Sequence, residues 1–176
     1  DPESNYRMAR ESFLDHVAIP PQNIHRLRGE ADPAAEAARY EADIRQTVPG
    51  DPIPRFDLIL LGMGDDGHTA SLFPGTPALG ESTRWVVPGY APQGTRSRIT
   101  ITLGVINHAS VILFLVTGHN KAGVVQRILE NSAGEPSPYP AAMVRPERGR
   151  LLWYLDRAAA SELTTTPPPS TSKEDP

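Results

Sequence analysis

Residues Phe56 to Leu61 run Phe-Asp-Leu-Ile-Leu-Leu and stop at a glycine cluster, Gly62-Met63-Gly64-Asp65-Asp66-Gly67, which leads directly to His68. An apolar run this short reads as a β-strand buried on both faces, as in a parallel sheet. A strand ending in such a turn delivers His68 to the carboxyl edge of the sheet, where open α/β sheets bind ligands. Gly62, Gly64 and Gly67 permit backbone angles closed to other residues and let a ligand approach the main chain. The same stretch therefore points to an α/β architecture and to a site at one edge of its sheet.

Signals along the rest of the chain alternate between helix and strand. Tyr6 to His16 reads as a short helix, stopped by Pro20-Pro21. Asp32 supplies an N-cap and Pro33 a first helical position. Ala37, Tyr40, Ile44 and Val48 then recur at helical spacing until Pro49-Gly50 closes the element. Arg84 to Val87 and Arg98 to Leu103 are β-rich, the second alternating Ile with Thr as a half-exposed strand does. Ser110 to Thr117 is the strongest strand, apolar on both faces. From Asn120 onward, Ala122, Val125, Ile128 and Leu129 give a helix with one face for the sheet. Leu151 to Leu155 is a last strand, and Asp156 caps a final short helix. Trp85 and Trp153 sit in strands and read as core. The alternation predicts an α/β fold, a mostly parallel sheet with helices on both faces, as a single domain over residues 1–163. Residues 164–176 contain no apolar side chain other than proline and are expected to be a disordered tail.

Composition removes several classes of function. A chain of 176 residues can bury a sizeable core as one domain. It has no cysteine, which excludes disulfides, thiol nucleophiles and zinc–thiolate sites together. The net charge of −4 argues against a nucleic-acid partner. No apolar run is long enough to span a bilayer and none resembles a signal peptide, so no membrane partner and a cytoplasmic location are expected. The chain does not begin with Met, which leaves room for a targeting segment removed from it. His16, His25, His108 and His119 show none of the short metal-ligand spacings, and neither a metal nor any other cofactor is expected.

Gly62 to Gly67 also matches the bare G-x-G-x-x-G dinucleotide fingerprint. That fingerprint needs a long helix after the turn and an acidic residue beyond the next strand. Here Phe73-Pro74-Gly75 breaks the helix early, Pro74 and Pro77 stand before Glu81, and no second apolar strand leads to it. Ser71 lacks a G-x-S-x-G elbow, which removes a serine-hydrolase reading.

The run GMGDDGHTASLFPG closely resembles the signature of the 6-phosphogluconolactonases, hydrolases of the oxidative pentose phosphate pathway. Other segments carry the same resemblance in order. Asp1-Pro2-Glu3-Ser4-Asn5-Tyr6 is similar to the family's acidic-x-x-Ser-Asn segment before a helix. Arg98-Ile99-Thr100-Ile101-Thr102, with Asn107 and Ala109 behind it, resembles the family's R-I-T strand. Gly118-His119-Asn120-Lys121 matches its glycine-to-lysine turn. Tyr139-Pro140-Ala141 and Leu152-Trp153-Tyr154-Leu155-Asp156, with Ala158-Ala159, fit its C-terminal end. The resemblance runs from Asp1 to about Leu163. It implies a Rossmann-like sugar-phosphate isomerase/lactonase fold and hydrolysis of 6-phospho-D-glucono-1,5-lactone to 6-phospho-D-gluconate. The expected partner is thus a phosphorylated sugar lactone.

Such a hydrolysis needs a base for water, donors for the oxyanion and positive charge for the phosphate. Position and resemblance make His68 the base, since imidazole titrates near neutral pH. Main-chain N–H groups of the glycine loop, at Gly64 and Gly67, are the candidate oxyanion donors. Asp65 and Asp66 either orient His68 or cap the turn; turn capping is the plainer reading, and Asp66 is the candidate to orient. Thr69 and Ser71 read as satisfying loop backbone. Arg98 can grip phosphate oxygens with two donors, with an edge-strand salt bridge as its alternative role. Lys121 opens a helix, a place the helix dipole disfavours for a cation unless an anion is there too; its alternative is a solvated amine. Arg96 is a second-choice donor. Asn5 is placed by resemblance near substrate hydroxyls or loop backbone, and His119 reads as structural.

The front of the chain departs from the family. A βα unit with a glycine-serine-rich phosphate loop and a W-x-x-x-D-E-R-type segment precede the Ser-Asn helix in the family, and nothing here matches either. The expectation is a chain beginning in mid-fold, a fragment, a processed piece or one part completed by a missing N-terminal segment or complementing chain. Two other functions therefore stay open. One is a glucosamine-6-phosphate deaminase-type enzyme, whose similar histidine loop continues with Asn-Glu-Pro where this chain has Ser71-Leu72-Phe73-Pro74. The other is a non-catalytic sugar-phosphate-binding fragment.

Overall fold

The structure, a computed structural model, describes residues 4–50, 52–92, 97–131 and 137–164. The predicted disordered tail therefore lies outside the described residues except for Thr164, whose N–H and hydroxyl both bind the Glu130 carboxylate. Asp1 to Glu3 and Arg96 lie outside them too.

The strand that feeds the glycine loop is β1, Leu58–Leu61. Two more parallel strands, β4 (Val111–Val116) and β5 (Arg150–Leu155), complete a sheet in the order β1-β4-β5. Leu61 stands opposite Phe114, and Phe114 opposite Trp153. Because side chains alternate across a strand, Ile59, Leu61, Ile112, Phe114 and Val116 share one face, and all five are buried. Phe114 is fully buried with Trp153 stacked on it at 4.1 Å, a burial worth about 1.5–3 kcal/mol for a side chain of this class. Helix α4 (Ala122–Leu129) lies on this face through Val124 and Val125. The mixed α/β architecture with a parallel sheet is as the alternation predicts.

The other face corrects the expectation that β1 and β4 are buried on both sides. Leu58 is 51% exposed, Leu60 58%, Leu115 51% and Tyr154 60%. A continuous apolar run records what a strand is able to bury, but cover must come from another element. Among the described residues no helix supplies it. Helix α1 (Asn5–Ser12), capped by the Ser4 hydroxyl, has no buried residue and leaves Met8 exposed.

A second sheet is antiparallel, formed by β2 (Val86–Tyr90) and β3 (Ser97–Ile101), with Val87 opposite Thr100 and Gly89 opposite Arg98. The Ile/Thr alternation is real, but its faces are inverted: Thr100 and Thr102 are buried while Ile99 and Ile101 are only half-buried. Both hydroxyls are satisfied, Thr100 donating to the Ile101 carbonyl and Thr102 to that of Arg84, which makes the burial tolerable. Helix α2 (Pro33–Thr47), with Asp32 capping Ala35 N–H, covers this sheet. Its Ala37 and Ile44 pack with Trp85, Val86 and Val105, the last on α3 (Leu103–Asn107). The Glu41 carboxylate accepts the N–H groups of Trp85 and Val86 at 2.8 and 3.2 Å. One turn earlier, buried Glu36 takes two bonds from Arg39 and one from the Arg28 N–H. Asp156 caps Ala159 as expected, but residues 157–162 form turns rather than a helix.

Candidate active site

Beyond Leu61 the chain closes a tight turn. Gly67 N–H donates to the Gly64 carbonyl at 3.1 Å, and Gly64 N–H to that of His68 at 3.0 Å. These two N–H groups, the expected oxyanion donors, are thus engaged inside the turn. Asp66 Oδ1 accepts two bonds from His68, from its main-chain N–H at 3.0 Å and from ring Nδ1 at 2.6 Å. Turn capping and ring orientation are therefore served by one carboxylate oxygen. An ionised carboxylate only accepts, so Nδ1 carries a proton, and in the neutral imidazole the lone pair is on Nε2. Burial works against the charge on Asp66, but the two His68 donors outweigh it and hold its pKa below the ordinary value. The Phe73 ring lies 4.3 Å from the imidazole, tilted by 32°, and fixes its other side.

The glycines differ in what they do. A Cβ on Gly64 would collide with Nδ1 and Cε1 of His68 and come within 2.8 Å of Asp66 Oδ1, so the imidazole lies directly on this residue. Gly67 has φ of 75°, a left-handed conformation, and a Cβ there would meet the Tyr139 ring. Gly62 has ordinary φ and open space, and its backbone does not require glycine.

After His68 the loop folds onto the second sheet. Thr69 is fully buried and donates to the Gly62 carbonyl at 2.9 Å. Ala70 has φ of 50°, the one left-handed residue other than glycine among the described residues. Ser71 N–H donates to Thr100 Oγ1 at 3.1 Å, and a Cβ on Gly89 would lie 2.9 Å from the Ser71 carbonyl. Arg98, two residues before Thr100 and opposite Gly89, shares the strand face of Thr100 and so reaches the cleft beside His68.

That cleft, about 1770 Å³, is lined by Asn5, Asp65, Asp66, His68, Ser71 and Arg98 among others. Its other cations are paired, Arg7 with Glu11, Arg10 with Asp15 and Arg26 with Glu30. Arg98 has no carboxylate partner among the described residues. Lys121 lies apart from the lining, at the end of a short 3₁₀ turn (His119–Lys121) after β4. That turn follows Gly118, which has φ of 98° and donates its N–H to Asp156. Lys121 and His68 thus follow the carboxyl ends of neighbouring parallel strands. His119 bonds Ser161 Oγ at 3.0 Å. Two contributors were not found from sequence, Phe73 against the imidazole and Tyr139 under Gly67. The signals for the second were Gly67, which permits a close approach, and the Tyr139-Pro140-Ala141 run that fits the family's C-terminal end.

The profile of the family described as glucosamine-6-phosphate isomerases/6-phosphogluconolactonase matches residues 1–153. The human protein named 6-phosphogluconolactonase is 44% identical over 164 residues, covering 92% of this chain and 62% of its own. The Haemophilus influenzae protein of the same name is 42% identical over 159 residues, covering 90% and 66%. A crystal structure described as devB protein superposes with a TM-score of 0.84 at 40% identity, covering 92% of this chain and 67% of that one. The chain therefore spans about three-fifths of the length of the human relative.

Proposed function

The chain belongs to the family of glucosamine-6-phosphate isomerases and 6-phosphogluconolactonases, and on that premise we propose that it hydrolyses 6-phospho-D-glucono-1,5-lactone to 6-phospho-D-gluconate in the oxidative pentose phosphate pathway. The observation that carries the reading is the Asp66–His68 pair in one cleft with Arg98, where neither His68 Nε2 nor Arg98 has a partner among the described residues. Relatives named as lactonases, and Ser71-Leu72-Phe73-Pro74 where a deaminase has Asn-Glu-Pro, favour the lactone over an amino sugar.

In this mechanism His68 Nε2 takes a proton from water as its oxygen bonds to the lactone carbonyl carbon. Asp66 stabilises the imidazolium that forms and keeps the ring in the needed tautomer. The tetrahedral intermediate then collapses, the bond from that carbon to the ring oxygen breaks, and the imidazolium returns its proton to the leaving alkoxide. The products are the open-chain hydroxyl and an acid that ionises at neutral pH. Arg98 holds the phosphate and Asn5 meets substrate hydroxyls, both from the cleft lining, and Lys121, apart from that lining after β4, is a second phosphate cation by its place at the start of α4.

The test is lactone hydrolysis measured above the spontaneous rate, with His68→Ala alongside. His68→Ala is expected to lower turnover by about 10²- to 10⁴-fold while leaving the fold intact. Release of ammonia from glucosamine 6-phosphate, or sugar-phosphate binding with no turnover, would replace this reading with one of the other two.

A further inference from the structure

We infer that Tyr139 is a positioning residue for the Asp66–His68 pair, acting through the seat its ring makes beneath Gly67. A Cβ on Gly67 would lie 2.5 Å from Tyr139 Cδ1, 2.8 Å from its Cβ and 2.9 Å from its Cγ. The left-handed turn therefore rests its bare α-carbon on the ring. The next residues close on the same point, because Ala141 N–H donates to the Gly67 carbonyl at 3.0 Å.

The seat is itself held from two sides. Arg127 Nη1, on α4, donates to the Tyr139 hydroxyl at 3.2 Å. The 3₁₀ turn Pro140–Met143 is anchored by burial of Pro140 and Ala141 and by Asn107 at the end of α3. Asn107 Nδ2 donates to the Met143 carbonyl at 3.2 Å, and its Oδ1 accepts Arg145 N–H at 2.7 Å. Gly67 lies between Asp66 and His68 in the chain, so any movement of Gly67 displaces both partners of the 2.6 Å bond. Bonds this short tolerate displacements of only about 0.5 Å before the geometry is lost. Tyr139 is not among the residues lining the cleft, so it acts on the imidazole and not on substrate.

The kinetic part of the test rests on the proposed lactonase activity; the spectroscopic part does not. In the full chain with ¹⁵N-labelled histidine, the ring nitrogens of His68 are assigned by comparison with His68→Gln. Wild type and Tyr139→Phe are expected to show one tautomer, protonated at Nδ1, and Tyr139→Ala a mixture of both. With the lactone, Tyr139→Ala is expected to lower kcat by about 10- to 100-fold with KM changed less than about twofold. Tyr139→Phe, which keeps the ring, restores kcat. Should Tyr139→Ala fail to fold, Tyr139→Leu, which fills the site without a planar ring, is expected to show the same mixture and the same loss. A folded Ala or Leu variant with wild-type tautomer and kcat, whatever its melting temperature, would overturn the inference. So would a Phe variant as impaired as Ala, since the ring would then not be the agent. A wild type without turnover would remove the proposed function and leave the nitrogen spectra to decide this inference.

Discussion

The imidazole of His68 is held by Asp66 at Nδ1, by Phe73 on a face and by the absence of a side chain at Gly64. Gly64→Ala is therefore expected to break the pair without touching the core. Its φ is not in the left-handed region, so its effect is the collision with the His68 ring and with Asp66 Oδ1. Lactone turnover should fall as far as in His68→Ala while urea unfolding shifts by less than about 1.5 kcal/mol. The depressed pKa of Asp66 fixes a sign for pH. Its ionised, His68-bound form contributes in full above the ordinary carboxylate value of 3.8 and is lost as pH falls through the lower folded value. The Nδ1 bond should thus survive to pH 4, which the ring-nitrogen spectra check. Arg98 carries the phosphate assignment, and Arg98→Ala is expected to weaken the phosphorylated lactone by about 1–3 kcal/mol with little effect on an unphosphorylated one. Lys121→Ala, measured beside it, reports whether Lys121 reaches the same phosphate; equal losses on both substrates would assign these residues a structural role instead.

At the scale of elements, α2 was legible because its signals are local. A capping Asp32, Pro33 at the first position and apolar residues at helical spacing act within the helix, and Ala37 and Ile44 are buried as the spacing requires. Glu36 was not legible, because its burial depends on a loop more than a turn away whose Arg28 N–H it accepts. The Arg39 hydrogen bonds, with burial opposing them, keep the Glu36 carboxyl below its ordinary 4.5. Its contribution is therefore complete above pH 4.5 and lost as pH falls through the folded value. Glu36→Gln removes the buried charge and leaves the partly exposed Arg39 with only Asp43, at 3.7 Å, and is expected to cost about 1–3 kcal/mol in urea unfolding at neutral pH. The fall of stability with acid below pH 4.5 should also become shallower in that variant. Thr100 of β3 and Thr102 just after it teach a similar lesson. Alternation told that two faces exist, while the partners at Ser71, Ile101 and Arg84 decided which one is inside.

For the whole molecule, the β1-β4-β5 sheet leaves one face without cover from the described residues. Leu58, Leu60, Leu115 and Tyr154 present one contiguous apolar side of paired strands, larger in character than scattered exposed residues. The chain is expected to bind a hydrophobic fluorescent dye there, and Leu60→Lys with Leu115→Lys should reduce that binding without lowering the melting temperature; unchanged dye binding would place it elsewhere. No described helix is long and apolar enough to cross a membrane. What the sequence determined by itself was everything carried by neighbours along the chain: the strand that stops at a glycine turn, the histidine delivered to the sheet edge, the capped helix and the α/β alternation. Family resemblance was legible for the same reason, since its motifs are contiguous runs. What only the tertiary structure decided depends on groups that meet from distant segments. These are the antiparallel pairing of β2 with β3, the ring of Tyr139 beneath Gly67, the lack of a carboxylate partner for Arg98 among the described residues beside the paired arginines of the cleft, and which sheet face finds cover. Periodicity and propensity act over a few residues, whereas a contact between residues 67 and 139 is set by how the whole chain packs.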